Sequence, residues 1–524
     1  MSNDNVLIVG AGPTGLMLAN QLGRRGVRTT LIDRHAGPAV ETRALGVQAR
    51  TLEIYAKLGL AARALELGTR GTGANIWADG RRMARVPLGE AGRGLTPYPF
   101  ILILGQDDNE RIMGEKLPDW GLAVEWRTEL THLDQQADHV RATLIQPDGT
   151  TREVNARWVA GCDGAHSAVR ELNRIEFAGA PYQHVFFVAD TVATGSMVGD
   201  EVNAYLWRDG FHLFFPMRGN DHWRVVGILP HVLRDKADVA FDDVIPSIEG
   251  EAGQDLSFSA CSWFSTYRIS HRAAAHFRDR RCFVLGDAAH VHSPVGAQGM
   301  NTGLQDAYNL AWKLALVTAG RADAALLDSY EEERMPIAQR LLNTTDRAFR
   351  LIVSDNPVAG VMRTKVVARI AARAMRQPAI QRFAFRVVSQ IDIHYRDGPL
   401  SLTLDNPPHD APHAGDRFPW LELAFTPGGR MEDVFAKLDD TRFSLFVIGQ
   451  SAPGTLPLGD LLQVHAIGAD GANAPALARA GIPTPSFYLI RPDGHIALCG
   501  ARVDTAALER YVRERLRVDP RQVR

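Results

Sequence analysis

Three short runs of glycine and aspartate, spread over more than half of the 524-residue chain, have the residue types and spacing that hold a dinucleotide. The first is Gly10-Ala-Gly12-Pro-Thr-Gly15. In such a run Gly10 permits a tight turn, Gly12 lets a phosphate approach the backbone, and Gly15 lets a helix pack against a strand. The N–H groups and positive end of that helix then face a pyrophosphate. Asp33, 18 positions beyond Gly15, can accept both hydroxyls of an adenosine ribose, and Arg34 beside it joins the cofactor-binding candidates. The second run is Cys162-Asp163-Gly164-Ala-His-Ser-Ala-Val-Arg170. The third is Gly286-Asp287-Ala-Ala-His290, continuing to Pro294-Val-Gly296-Ala-Gln298-Gly299-Met300-Asn301. Each of these two sets an Asp beside glycines at a strand's carboxyl end, where a doubly wound sheet binds its ligand.

The elements that must position these runs are legible around them. Asn5–Gly10 is an apolar run of the kind that forms a buried parallel strand, Leu16–Leu22 has helical spacing, and Thr29–Asp33 is a second strand, together a βαβ unit. Residues 47–59 have the pattern of an amphipathic helix, and 140–159 predict a hairpin turning at Asp148-Gly149. From about 180 to 265 the texture changes to short strands rich in Phe, Tyr and Trp, which predicts a mostly antiparallel sheet. A parallel-type strand at 281–286 and a helix at 302–316 follow, then a largely helical region to 395. A proline-rich linker is expected near 396–415, and a small α/β domain after it.

Composition removes several classes of function. Lys+Arg is 58 against Asp+Glu 60, a net charge of -2, which argues against a nucleic-acid binder. The chain is 45% hydrophobic and 23% charged, ordinary for a globular protein. Four scattered cysteines (162, 261, 282 and 499) make neither a disulfide framework nor a zinc site and suit a reducing compartment. The strand pattern begins too early for a signal peptide, and no apolar stretch is long enough to span a bilayer. The expectation is a cytoplasmic multidomain protein.

In order along the chain, the motifs GAGPTG, CDGAHSAVR and LGDAAHVHSPVGAQGMNTG resemble those of the class A flavoprotein aromatic hydroxylases, the family of para-hydroxybenzoate hydroxylase and phenol hydroxylase. The resemblance covers nearly the whole chain. It implies an α/β fold: a Rossmann-like FAD-binding domain (1–179 and 271–395, the latter with a helical region) interleaved with an antiparallel-sheet substrate domain (180–270). A linker (396–415) and a C-terminal thioredoxin-like domain (416–524) complete it. It implies FAD as cofactor, with Asp287 on the ribityl chain, and with Asp163 and Gly164 serving both FAD and NAD(P)H. Arg43 and Gln106 become further FAD contacts, Arg43 also a candidate for the nicotinamide nucleotide. Gly286, Gly299, Met300 and Asn301 join the cofactor-binding set. Pro294 matches a proline whose carbonyl faces the substrate beside the flavin, and is counted as both cofactor-binding and catalytic. Asp33 stands where many relatives carry Glu. The helix beginning near Asn301 should point its positive end at the flavin pyrimidine. No second nucleotide fingerprint is present, so NADPH or NADH is expected to dock transiently.

The activity implied is hydroxylation of a phenolic substrate by O2 through a flavin hydroperoxide. The alternatives are an epoxidase or Baeyer–Villiger enzyme on a polycyclic aromatic or polyketide metabolite, and, in a different class, a non-catalytic FAD-bound scaffold. A flavin halogenase is disfavoured because no Trp-x-Trp-x-Ile-Pro segment occurs.

For the substrate, the aromatic sheet offers Tyr205, Trp207, His212, Phe214 and Trp223, although for each one singly core packing is the commoner role of an aromatic at an alternating position. His212 could orient or deprotonate a phenol. His290 and His292 have no carboxylate or thiol cluster beside them, and no metal is expected. Arg363, Lys365, Arg369, Arg373, Arg376, Arg382 and Arg386 form a basic stretch read as the solvated face of packed helices split at Pro378, with membrane or dimer contact as alternatives. In the last domain Phe443–Ile448 is the expected central strand, and Cys499 is its one thiol, so the module should be redox-inert and serve packing or homodimer formation.

Overall fold

The computed structural model describes residues 3–39, 44–207, 210–234, 236, 238–252, 256–292, 298–353, 368–469 and 471–518. The strand Asn3–Val9 lies inside an eight-stranded sheet, parallel to Thr29–Asp33 on one side and Thr151–Gly161 on the other. Val124–Trp126 and Cys282–Val284 continue the parallel order outward. Val6, Leu7 and Ile8 have no exposed surface, which is why the strand reads as an unbroken apolar run: both of its faces are covered. The predicted hairpin forms, with Val140–Ile145 antiparallel to Thr151–Gly161.

Seven helices bear on the site: α1 (Pro13–Arg24), α2 (Ala49–Leu58), α3 (Gln106–Gly114), α4 (Phe241–Ala252), α5 (Gly299–Thr318), α6 (Asp328–Val353) and α7 (Pro378–Val388). The helix α5 packs against α1 and is buried on nearly every side. A short helix, Ala368–Ala374, precedes α7, and Pro378 opens α7 as its first residue, where a missing N–H costs nothing. Arg363 and Lys365 of the basic stretch lie outside the described residues.

A second eight-stranded sheet runs in the order His290–Val291, Ser257–Ala274, Phe177–Thr194, His222–Ile228, Gly210–Pro216, Val202–Trp207, Ala74–Ala78 and Arg81–Val86. It is wider than the expected 180–270 segment. Val202–Trp207 pairs in parallel with Ala74–Ala78, far upstream, a partner that no local pattern announces. At the opposite edge Ala273 pairs with His290, so this sheet is joined directly to the third glycine–aspartate run.

The C-terminal sheet has five strands, with Phe443–Ile448 flanked by parallel Leu462–Ile467 and antiparallel Ser486–Ile490. Leu402–Thr403, from the stretch expected to be a linker, forms its edge strand beside Ile496–Gly500. Leu445, Phe487, Leu498 and Tyr511 share one apolar core with Trp312 of α5, so the module is fused to the rest of the interior.

Candidate active site

The three glycine–aspartate runs meet in space. Gly10 has φ +101°, and a Cβ there would lie 2.4 Å from the Cys162 carbonyl oxygen, so the first loop rests on the second. A Cβ on Gly286 (φ +57°) or Gly303 would lie 2.6 or 2.5 Å from Thr14 Oγ1, so the third loop and α5 close on the start of α1. Gly15 touches the Gly10 carbonyl in the same way. Gly12 differs: a Cβ there would meet nothing within 4 Å, and no side chain caps α1. The space beside Gly12 is therefore open and no side chain caps the positive end of a 12-residue helix, a site shaped for a pyrophosphate.

Asp33, nearly buried at the end of its strand, accepts the Ala11 N–H on Oδ2 at 2.7 Å and the His35 N–H on Oδ1 at 2.8 Å. It thus fixes the glycine loop and keeps its carboxylate at the strand's carboxyl end. Arg34 is exposed beside it. Gln106 opens α3 and donates from Nε2 to Glu110 Oε1 at 2.8 Å, while Glu110 Oε2 accepts the Ala39 N–H. Burial pushes the Glu110 carboxyl up. Asp163 accepts the Val169 N–H at 3.2 Å, which holds the helix Ala168–Leu172; burial pushes its carboxyl up, against the pull of Ser167 and backbone N–H groups. Gly164 follows at φ +77°. Arg43 and Pro294 lie outside the described residues.

Asp287 is surrounded by protein yet exposed, so its carboxylate opens into the space between the loops. Burial pushes it up and His290 pulls it down. What holds this loop is a residue the sequence did not single out. Asp306, on α5, accepts the Gly286 N–H on Oδ2 at 3.0 Å, with His290 Nε2 2.8 Å from the same oxygen. Its Oδ1 accepts Arg334 Nε at 2.6 Å, and Arg334 also donates to the Thr302 carbonyl and Tyr395 Oη. The signal for Asp306 was faint: the one acid within the helix expected at 302–316. His290 Nε2 is thereby engaged by the Asp306 carboxylate, and no group of metal-binding side chains occurs among the described residues.

Asn301, in the first turn of α5, ties that turn to α2: its Oδ1 accepts the Gln48 N–H and the Thr51 hydroxyl, and its Nδ2 donates to the Gly46 carbonyl. Gly299 and Met300 are half-buried before it. The set of open helix N-terminus, Asp33 at its strand's carboxyl end and loop-borne Asp287 fits FAD. Burial pushes Asp306 up, but Arg334 and His290 outweigh it and hold the carboxyl below the usual 3.8. A depressed acid stabilises the fold above its ordinary value and loses that contribution as pH falls through its lowered one. Flavin is therefore expected to stay bound until below about pH 4 and then to be released, which flavin fluorescence against pH will follow.

The five aromatic substrate candidates share one face of the second sheet, as the pairs Tyr205–His212, Asn203–Phe214 and Phe214–Val225 dictate. That face is covered by α4: Tyr205, Phe214 and Trp223 are packed with Phe241, Val244 and Ile248. Trp77 stacks on Tyr205 at 5.5 Å. His212 lies between Trp207 and Phe187, at 5.6 and 5.8 Å, and burial pulls it to about 3. The ring is neutral and too weak a base to take a phenol's proton. The richest aromatic face is thus the one that seats a helix, and α4 covers it. His212→Phe is expected to leave the pH profile of turnover unshifted, which steady-state rates between pH 6 and 9 will check.

The other face carries Ala204, Leu206, Leu213 and Phe215, all half-exposed. Phe215 and Met217 pack with Leu45 and Ile103, and Leu45 adjoins Gly46, to which Asn301 donates. This face therefore looks toward the start of α5. On it Arg224 makes a two-fold contact with Asp190, both bonds 2.5 Å, with the guanidinium 5.3 Å from the Trp263 ring centroid. None of these residues was singled out from the sequence.

Residues 3–345 match the family described as FAD binding domain. The chain is 35% identical to 6-methylpretetramide 4-monooxygenase of Streptomyces rimosus, over 96% of this chain and 92% of that protein. It is 33% identical to pentachlorophenol 4-monooxygenase of Sphingobium chlorophenolicum, over 93% and 86%. Among solved structures, the OxyS anhydrotetracycline hydroxylase from Streptomyces rimosus superposes with a TM-score of 0.76 at 29% identity, covering 98% of this chain and 99% of that one. The chain belongs to this FAD-binding family, as a flavin-dependent aromatic monooxygenase that draws its electrons from NAD(P)H.

Proposed function

We propose that the enzyme hydroxylates a phenolic substrate, one broad enough to carry fused rings, seated between the flavin and the half-exposed face of the second sheet. The observation that carries this is the alternation along Val202–Trp207 and Gly210–Pro216: one face is sealed under α4, while the other keeps Ala204, Leu206, Leu213 and Phe215 partly open. Small and aliphatic residues at the centre of that face suit a flat apolar guest. The substrate named for the relative from S. rimosus, 6-methylpretetramide, and that named for the one from S. chlorophenolicum, pentachlorophenol, support the class.

The chemistry supplied by FAD, when bound, would be acceptance of hydride from NADPH or NADH and activation of O2, one oxygen atom entering the ring and the other leaving as water. The chain's own part is to bind and orient. The start of α1 holds the pyrophosphate, Asp33 the ribose and Asp287 the ribityl hydroxyls. Gln106, Asp163, Gly164 and Arg34 complete the cofactor contacts; for Arg43 and Pro294 we keep only the roles that the family resemblance implies, toward the cofactor and toward the substrate. The first turn of α5, Gly299 to Asn301, places the helix's positive end where negative charge develops on the flavin. The sheet face excludes water from the reacting atoms. The four cysteines are unpaired, which supports a cytoplasmic setting. No described helix is long and apolar enough to cross a membrane. The C-terminal strand order supports a thioredoxin-like module, redox-inert because Cys499 is its one thiol.

The test is anaerobic. Phenolic compounds of one to four rings are screened for acceleration of flavin reduction by NADPH or NADH in a stopped-flow instrument. At least one multi-ring phenol should speed reduction about tenfold or more; acceleration by single-ring phenols alone would overturn the size assignment.

A further inference from the structure

A turn of the C-terminal module reaches into the interior that holds the flavin loop. Arg491 donates to both oxygens of Glu333 on α6, at 2.6 and 2.9 Å. Glu333 also accepts Lys313 Nζ at 2.9 Å and Asn309 Nδ2 at 2.8 Å, both from α5. Asp493 closes the other side: its Oδ2 accepts the Trp312 indole N–H at 3.1 Å, and its backbone carbonyl accepts from Arg50 of α2 at 2.6 Å. The side chains of Arg491, Glu333 and Lys313 have no exposed surface. Residue 334, the next along α6, is the arginine that grips Asp306 and through it Gly286.

We propose that the Arg491–Asp493 turn is a positioning element for the flavin, setting through Glu333, Lys313 and Trp312 where α5 and the Gly286–His290 loop stand. The helix α5 is held at two levels, by the turn at residues 309–313 and by the loop at residue 306, about 5–10 Å apart along a stiff rod. A displacement at the first level is carried to the second and on to the first turn, where the helix dipole acts only at short range. Buried charges of this kind hold their places because every partner is present, and removing one leaves the others uncompensated. The C-terminal module thereby has a task in the flavin site although it contributes no residue to the three glycine–aspartate runs. The inference rests on FAD binding alone and not on the substrate proposed above.

The experiment uses the full-length holoenzyme and the variants Arg491→Met and Arg491→Lys. Four quantities are read: FAD dissociation constant, midpoint potential of the bound flavin, rate of flavin reduction in the loaded enzyme, and Tm. Arg491→Met is expected to weaken FAD about tenfold, to shift the potential and to slow reduction about tenfold in the fraction that retains flavin. Arg491→Lys should recover most of each. If Arg491→Met does not fold, Asp493→Asn is read instead, with the same signs and about threefold effects. A variant with lowered Tm but wild-type potential and reduction rate in its loaded form would show a merely structural contact and overturn the proposal.

Discussion

Asp306→Ala should purify with little flavin, and its FAD dissociation constant should rise about 100-fold. Two effects add. The Gly286 N–H loses its acceptor, and the loop through His290 loses the group that fixes it. Ordering a freed residue costs about 1–2 kcal/mol. Two such residues, ordered at the expense of FAD binding, take about 3 kcal/mol, or roughly two decades of affinity. Separately, Arg334 is left fully buried without its carboxylate, and breaking a buried pair costs about 3–5 kcal/mol of stability. Asp306→Asn keeps an acceptor for the Gly286 N–H and should fall between wild type and Ala in affinity. Isothermal titration of apoprotein with FAD, with Tm measured alongside, separates the two effects. Wild-type affinity in Asp306→Ala would mean that the loop is held by something else.

Neighbouring residues on one strand should give opposite phenotypes. Leu213 is half-exposed on the face toward α5, and Phe214 is fully buried against α4. Leu213→Trp fills the space in which a substrate would sit. It should raise KM by at least about tenfold, or abolish the acceleration of flavin reduction by substrate, with Tm changed little and FAD bound normally. Phe214→Ala removes a buried ring and should cost about 3–5 kcal/mol of stability. The enzyme that remains folded should respond to substrate as wild type does. Thermal unfolding and substrate titrations of the two variants decide the matter. If Phe214→Ala loses substrate response while Leu213→Trp keeps it, the pocket lies on the other face.

The cofactor site was legible because backbone geometry forced its residues. Gly10 sits at φ +101° against the Cys162 carbonyl, and Gly286 at φ +57° against Thr14, so those positions exclude side chains and the glycines stand out in the sequence. Which face of the second sheet is covered was not legible. Period-two alternation puts Tyr205, Trp207, His212 and Phe214 together, but it does not say which face receives α4, an element that comes later in the chain. Nor could local pattern show that Ala74–Ala78 would join Val202–Trp207, or that Leu402–Thr403, amid linker-like prolines, would close the last sheet. Asp306 and Arg491 were hidden for a related reason. Each is a charge in a segment that also packs a core, and its partner lies 28 or 158 residues away.

The most direct measurement follows a heavy isotope of dioxygen. Holoenzyme is reduced without air by NADPH or NADH in the presence of the best multi-ring phenol, then mixed with the labelled gas, and the product is weighed by mass spectrometry. The structure predicts one labelled oxygen on the aromatic ring for each reduced nucleotide consumed, and loss of that labelling in Leu213→Trp. Nucleotide oxidation that yields only labelled peroxide from every phenol tried, or oxygen drawn from water, would contradict it.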